Sequence, residues 1–235
     1  MADEILVVRC GLVPYEEARE LQRQLEGRRQ RGEVPDVLLL LEHPPVYTRG
    51  RRSQPQELPM GAEWYEAQGI EVRDTDRGGL VTYHGPGQLV AYPIVHLGAY
   101  GDDVLMYVRG LERTMIESLG EHGVSARTIE GLTGVWVDRR KIGSIGLHVS
   151  RGVTTHGLAV NVNNDLQPFE WVVPCGIEGV AMTSLSREQG AEQDLGAFAA
   201  TLVARYAEVF GREPVATPPA ELGLEAPPAT LSGAE

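Results

Sequence analysis

The chain has 235 residues, 42% of them hydrophobic, and a formal net charge of −12 from 21 Lys and Arg against 33 Asp and Glu. That length suits one large domain or two small ones with a real core. The acidic balance argues against a general nucleic-acid binder, whose phosphate contacts need a basic face. No stretch reaches the roughly 20 apolar residues of a membrane span, and Met-Ala-Asp-Glu at the start carries no signal core. Two cysteines make neither a disulfide framework nor a zinc spacing. The expectation is a reduced, cytoplasmic setting with no membrane and no nucleic-acid partner.

Taken in order, residues 4–10 alternate as a strand ending on Cys10, a small core hydrophobe. Pro14 opens a helix with apolar Ala18, Leu21 and Leu25, which ends in the arginine-rich turn 28–32. The continuous apolar run Asp36–Glu42 predicts a buried strand. His43 to Arg52 then reads as a loop with three arginines, Arg49, Arg51 and Arg52, the clearest basic cluster in an acidic chain. A short helix over 61–69 and a strand over 70–73 follow.

The stretch from Arg77 to Gln88 carries four glycines in ten residues, which lets backbone turn tightly or approach a ligand. It is neither a dinucleotide fingerprint nor a Walker loop, so no nucleotide cofactor is expected. Strands at 80–83 and 89–95 read as a hairpin closed by His-Gly-Pro-Gly, which would bring Tyr83, His84 and Tyr92 to a shared site. Asp102 and Asp103 start a long amphipathic helix to about His122. Strands follow at 125–129, 134–137, 141–149 and 153–161, with Gly143 and Gly146 leaving one of them bare enough for a backbone or a narrow ligand. Thr183 and Ser184 suit a helix cap, and Asp194 to Phe210 is a final amphipathic helix. Strands in close succession beside separate long helices indicate an α+β fold. One domain over 1–211 is expected, with 212–235 a mobile Pro/Ala-rich tail.

Chemistry concentrates between Arg139 and Gly176. Lys141 is the single lysine among twenty arginines, and Cys175 sits in a Pro-Cys-Gly turn. Arginine keeps its proton up to a pKa above about 12, whereas a buried lysine can release one near neutrality. A lysine able to exchange a proton and a thiol on a loop suggest a base and its nucleophile. Each also has a plainer reading, a surface lysine and an idle loop cysteine. His84 and His156 are open in the same way, as site residues or as histidines held by structural hydrogen bonds. No His/Cys pair has ligand spacing, so no metal is expected.

The segments RGGLVTYHGPGQLVAYP, KIGSIG, HGLAVNVNNDL, VPCGI and TSL, with HPPVYTRGRR upstream, together resemble octanoyltransferases of lipoate biosynthesis across roughly residues 5–210. The resemblance implies the biotin/lipoate protein ligase-like fold, a mixed β-sheet flanked by helices. It implies transfer of an octanoyl group from octanoyl-acyl carrier protein to a lysine of lipoyl domains. Those domains belong to 2-oxoacid dehydrogenase complexes and to the glycine cleavage H protein.

The family's thioester cysteine falls on Cys175 and its pKa-lowering lysine on Lys141. Its acyl-binding segments fall on Arg77, Gly78, Gly79, Leu80, Val81, Thr82, Tyr83 and His84, on Ser144, Ile145 and Gly146, and on His156, Gly157 and Leu158. Arg49, Arg51 and Arg52 become candidates for docking the acidic carrier. A monomer working without a cofactor is expected. Two rivals stay open. One is an ATP-dependent lipoate or biotin ligase of the same fold, although the GRGRxG-type loop of biotin ligases is absent. The other is a non-catalytic module that binds the carrier or the lipoyl domain.

Overall fold

The computed structural model describes residues 3–172 and 181–224. The chain runs β1 (Asp3–Leu12), α1 (Tyr15–Gln30), β2 (Asp36–Glu42), β3 (Val46–Arg49), α2 (Ala62–Ala67), β4 (Glu71–Asp74), β5 (Val81–His84) and β6 (Gln88–Ile94). It continues through α3 (Val104–Glu121), β7 (Arg127–Ile129), β8 (Leu132–Val137), β9 (Arg140–Ser150), β10 (Val153–Asn161), α4 (Leu185–Gln189), α5 (Leu195–Phe210) and β11 (Arg212–Ala216). An eight-stranded sheet has the order β11-β1-β2-β6-β10-β9-β8-β7, and a three-stranded sheet the order β4-β3-β5. β11, β1 and β2 are parallel, and the large sheet is antiparallel from β2 onward. This is the mixed-sheet α+β architecture expected.

β2 shows why its apolar run is unbroken. Leu38 and Leu40 face α3 and α5, packing with Leu111, Met115, Phe198 and Leu202. Val37, Leu39 and Leu41 face α1, with Ala18, Leu21 and Leu25. A strand covered on both faces takes polar residues only where hydrogen bonds meet them, as Asp36 and Glu42 do at its ends, and each leucine so buried contributes about 1.5–3 kcal/mol. Local signals hold the helix ends. The Asp103 carboxylate accepts the backbone N–H groups of Leu105 and Met106, and Asp194 accepts that of Ala197. Ser184 caps α4 through the N–H of Arg187, as its position suggested. No described helix is long and apolar enough to cross a membrane.

Three expectations are corrected. The 80–95 stretch is not a hairpin: β5 pairs with β3 in the small sheet, while β6 lies between β2 and β10 in the large one. Both edges of β6 are taken, so none is left for β5. The Gly87 N–H, donated to the buried Glu42 carboxylate at 2.6 Å, pins the crossing to the end of β2. The 43–52 loop contains β3. The tail does not begin at 212, because β11 pairs in parallel with β1, and Leu222 and Leu224 beyond it are buried against the α1 layer. β11 escaped notice because it is a mostly exposed edge strand carrying Pro214, and only an edge tolerates a proline there. Residues 225–235 lie outside the described residues.

Candidate active site

A cavity of about 430 Å³ opens at the seam between the two sheets, walled by β5, β8, β9, β10 and the 77–80 segment. Of the acyl-binding candidates, Arg77, Gly79, Leu80, Val81, Thr82, His84, Ser144, Ile145, Gly146, His156, Gly157 and Leu158 line it, as does Lys141. Gly78 and Tyr83 do not. Gly78 is spent on the wall itself, donating its N–H to Leu147 O at 2.8 Å. That contact is close enough that a Cβ on Gly146 would stand 2.9 Å from Gly78 O, so β9 needs a glycine there. Tyr83 turns away into the aromatic cluster of Tyr47 and Phe169 under the small sheet.

Arg77 is a structural strut of this wall. Its Nη2 donates to Thr48 O at 2.6 Å and Thr48 Oγ1 at 2.8 Å, and Nη1 to Gly78 O at 3.0 Å. Buried carboxylates tie down the remaining backbone. Glu57 accepts the Val81 N–H at 2.9 Å, and Glu112 accepts that of Gly134 at 2.9 Å. These groups answer the rule that a buried polar atom must find a partner.

The histidines are held neutral. His84 Nδ1 lies 2.6 Å from Gln88 Oε1, while the Gln88 amide donates to Tyr83 O and Asn161 Oδ1. Gln88 Oε1 is therefore the acceptor, and the proton sits on His84 Nδ1. Burial, and then His43 nearby, keeps the His84 pKa well below its usual range. His156 sits mid-strand at φ 57° and bonds Asp76 Oδ1 through Nε2 at 2.9 Å. Burial outweighs that partner and lowers the His156 pKa, whereas the hydrogen bond from His156 holds the Asp76 carboxyl well below the ordinary range. Behind the cavity, His43 donates Nδ1–H to Val13 O at 2.7 Å, which leaves Nε2 to accept the Tyr92 hydroxyl at 2.8 Å.

Lys141 is buried on β9, 6% exposed, with Nζ 5.4 Å from the centre of the Trp136 ring. Its backbone N–H donates to Ala181 O, and its carbonyl accepts the Thr183 N–H, both at 2.9 Å. The segment resuming at 181 is thus clamped beside the lysine. Upstream, the Tyr65 hydroxyl donates to Trp171 O at 2.7 Å. Cys175 falls between these two anchors, outside the described residues. Cys10 is fully buried, and burial pushes its thiol up to about 12, so it is no nucleophile at neutral pH. Arg52 reaches the cavity rim, while Arg49 is paired with Asp74 at 2.7 Å and Arg51 is exposed.

Sequence reasoning missed Tyr15, Thr133 and Trp136 on the cavity wall. Trp136 had one usable signal, its place in the strand that runs through the 138–139 turn into Lys141; its pairing with Lys141 is set by the β8–β9 register. Among the described residues no cluster of His, Cys, Asp and Glu could hold a metal ion.

The model of the lipoyl protein ligase A/B catalytic domain matches residues 14–207. An octanoyltransferase of Chloroflexus aurantiacus is 48% identical over 207 residues, covering 87% of this chain and 93% of that one. An octanoyltransferase of Rubrobacter xylanophilus is 47% identical over 203 residues, covering 86% and 91%. Among solved structures, the bipartite lipoate protein ligase of Thermoplasma acidophilum superposes with a TM-score of 0.71 at 16% identity, over 93% of this chain and 87% of that one, which speaks to the fold. The chain belongs to the lipoyl protein ligase A/B catalytic domain family, and its octanoyltransferase relatives make it an acyltransferase.

Proposed function

We propose that the protein transfers an octanoyl group from octanoyl-acyl carrier protein to a lysine of lipoyl domains, through a thioester on Cys175. The catalytic domain on this reading is single and extends at least to Leu224. The observation that carries the proposal is the burial of the chain's single lysine on the cavity wall, beside the clamp on residues 181–183. The Cys175 thiolate attacks the donor thioester carbonyl. A new C–S bond forms, the old one breaks, and the carrier thiolate leaves to be protonated. One thioester replaces another of similar energy, so no ATP is needed. The lipoyl-domain amine then attacks the acyl-enzyme, the C–N bond forms, the Cys175 thiolate departs, and Lys141 takes the amine's proton. As a cation, Lys141 also favours the thiolate form of Cys175. The apolar wall from Leu80 to Leu158 receives the chain, at about 0.8 kcal/mol per buried methylene.

Intact mass measured after mixing with octanoyl-acyl carrier protein tests this. One octanoyl adduct is expected on wild type and on Cys10→Ser, and none on Cys175→Ser, whose turnover drops more than about a thousandfold. An adduct that persists in Cys175→Ser overturns the thioester on Cys175. An absolute requirement for ATP moves the protein to the ligase reaction.

A further inference from the structure

The direction of the Lys141 amine depends on what surrounds its stem. The lysine sits at the start of β9, where the backbone fixes its Cα while the four-carbon stem is free to rotate unless something confines it. β8 supplies two walls of that confinement. The β8–β9 register slips there, Val135 pairing with Gly143 but Trp136 with Lys141, so β9 carries an extra residue opposite β8. Such a bulge bends the strand and re-aims a side chain. On the β8 side, Gly134 takes φ 115°, a backbone shape reserved for glycine. A Cβ at Gly134 would stand 2.7 Å from Lys141 Cε and 3.2 Å from Nζ. The lysine stem therefore lies directly on the bare Gly134 backbone, with Trp136 as its other wall.

Something must hold Gly134 in that shape, and it comes from a helix outside the cavity. Glu112 lies on α3, among the leucines and methionine that pack the sheet, yet its side chain is only 1% exposed. One carboxylate oxygen accepts the Gly134 N–H at 2.9 Å, and the other accepts Arg109 Nη1 at 2.6 Å. A carboxylate in an apolar helix face is a costly choice unless its hydrogen bonds are needed.

The geometry points to Glu112 as a positioning residue for the acyl-transfer reaction: through the Gly134 N–H it fixes the backbone channel that aims the Lys141 amine into the cavity. Glu112 touches no substrate and acts only through Gly134. This rests on the reading of Lys141 as the proton acceptor, and the test separates the two.

Because the chain has one lysine, protein grown with lysine labelled at 13Cε and 15Nζ reports a single side-chain signal, with no catalysis required. Glu112→Leu, which fills the space but cannot accept the Gly134 N–H, is expected to shift and broaden that signal. Its kcat for transfer to a lipoyl domain should fall roughly a hundredfold, the size expected when a reacting group is misplaced by about 1 Å. KM for the octanoyl carrier should stay unchanged. Glu112→Gln, which keeps an acceptor oxygen, should restore most of both. Should Glu112→Leu fail to fold, the Gly134 amide of wild type decides it, since an N–H held by a buried carboxylate exchanges with solvent slowly. A folded Glu112→Leu whose lysine signal matches wild type, or a wild-type Gly134 amide that exchanges freely, overturns the positioning role. A displaced signal with unchanged transfer upholds the channel and instead removes Lys141 from the chemistry.

Discussion

The helix-covered face of the large sheet and the seam between the two sheets are both buried, but they are made of different material. Behind β2, β6 and β10, α3 and α5 pack Leu111, Met115, Phe198 and Leu202 against strand leucines and valines. Apolar contact and excluded water dominate there, with few directed bonds, such as that between the Tyr107 and Tyr206 hydroxyls at 2.8 Å. At the seam the buried groups are Arg77, His84, Gln88, Asn161, Lys141 and His156, and the same interior is held by aimed hydrogen bonds. Glu42, Glu57 and Glu112 each reach in to hold one backbone N–H of a wall segment. The difference teaches a division of labour. The helix face supplies stability that degrades by degrees, while the seam supplies geometry that fails at a single lost bond.

A matched pair of substitutions tests that division most directly. Lys141→Arg retains the charge but not the exchangeable proton, so acyl-enzyme formation should survive slowly while transfer to a lipoyl domain drops more than about a hundredfold. Its melting temperature should stay close to wild type. Leu202→Ala should do the reverse, losing about 2–5 kcal/mol of stability while the folded enzyme turns over normally. Single-turnover kinetics beside urea unfolding would read both. Equal loss of acylation and transfer in Lys141→Arg would indicate displaced geometry in place of lost proton exchange, and full activity would leave the lysine without a role.

Next in size is a pH effect that should arise on the seam side. Burial lowers His43 to about 4 and His84 well below its normal value. Both are neutral in the fold and take up protons on unfolding below about pH 6.5, so the unfolded state binds more protons and stability falls as pH drops from 7 toward 4. His43 alone should account for about 2 kcal/mol between pH 7 and pH 5. Asp76, whose pKa is lowered in the fold, adds stability above its unfolded value and loses it only at lower pH, outside this window. Urea midpoints at pH 7 and pH 5 should differ accordingly in wild type and less in His43→Gln. A wild type with no such slope would mean these imidazoles are not desolvated.

The smallest effect belongs to the rim. Arg51→Glu combined with Arg52→Glu should raise KM for octanoyl-acyl carrier protein about three- to tenfold and flatten its salt dependence. Arg49→Ala should do less, because Arg49 already faces Asp74 and such exposed pairs contribute about 0–1 kcal/mol. KM measured across a salt series decides it, and an unchanged response in the double variant moves carrier docking elsewhere.

What the sequence determined by itself was whatever is local or patterned. The β2 run Asp36–Glu42, the Asp103 and Asp194 caps, the bare glycines of β9 and the single lysine could all be read from neighbouring letters. Periodicity and capping act within a few residues, so the chain itself carries that information. Most of the residues marked as acyl-binding candidates by resemblance to a known family line one cavity. Only the tertiary structure decided which strands share a sheet. His-Gly-Pro-Gly reads as a hairpin turn, yet β2 and β10 compete for both edges of β6 and send β5 to the other sheet. It also decided what the buried Glu42, Glu57 and Glu112 carboxylates hold, because the N–H groups they satisfy lie 45, 24 and 22 residues away. The strand at 212–216 likewise becomes visible only beside β1, since an exposed edge with a proline has no hydrophobic pattern of its own. A hydrogen bond's partner is set by where the packed core leaves an unsatisfied group, and that depends on the whole fold.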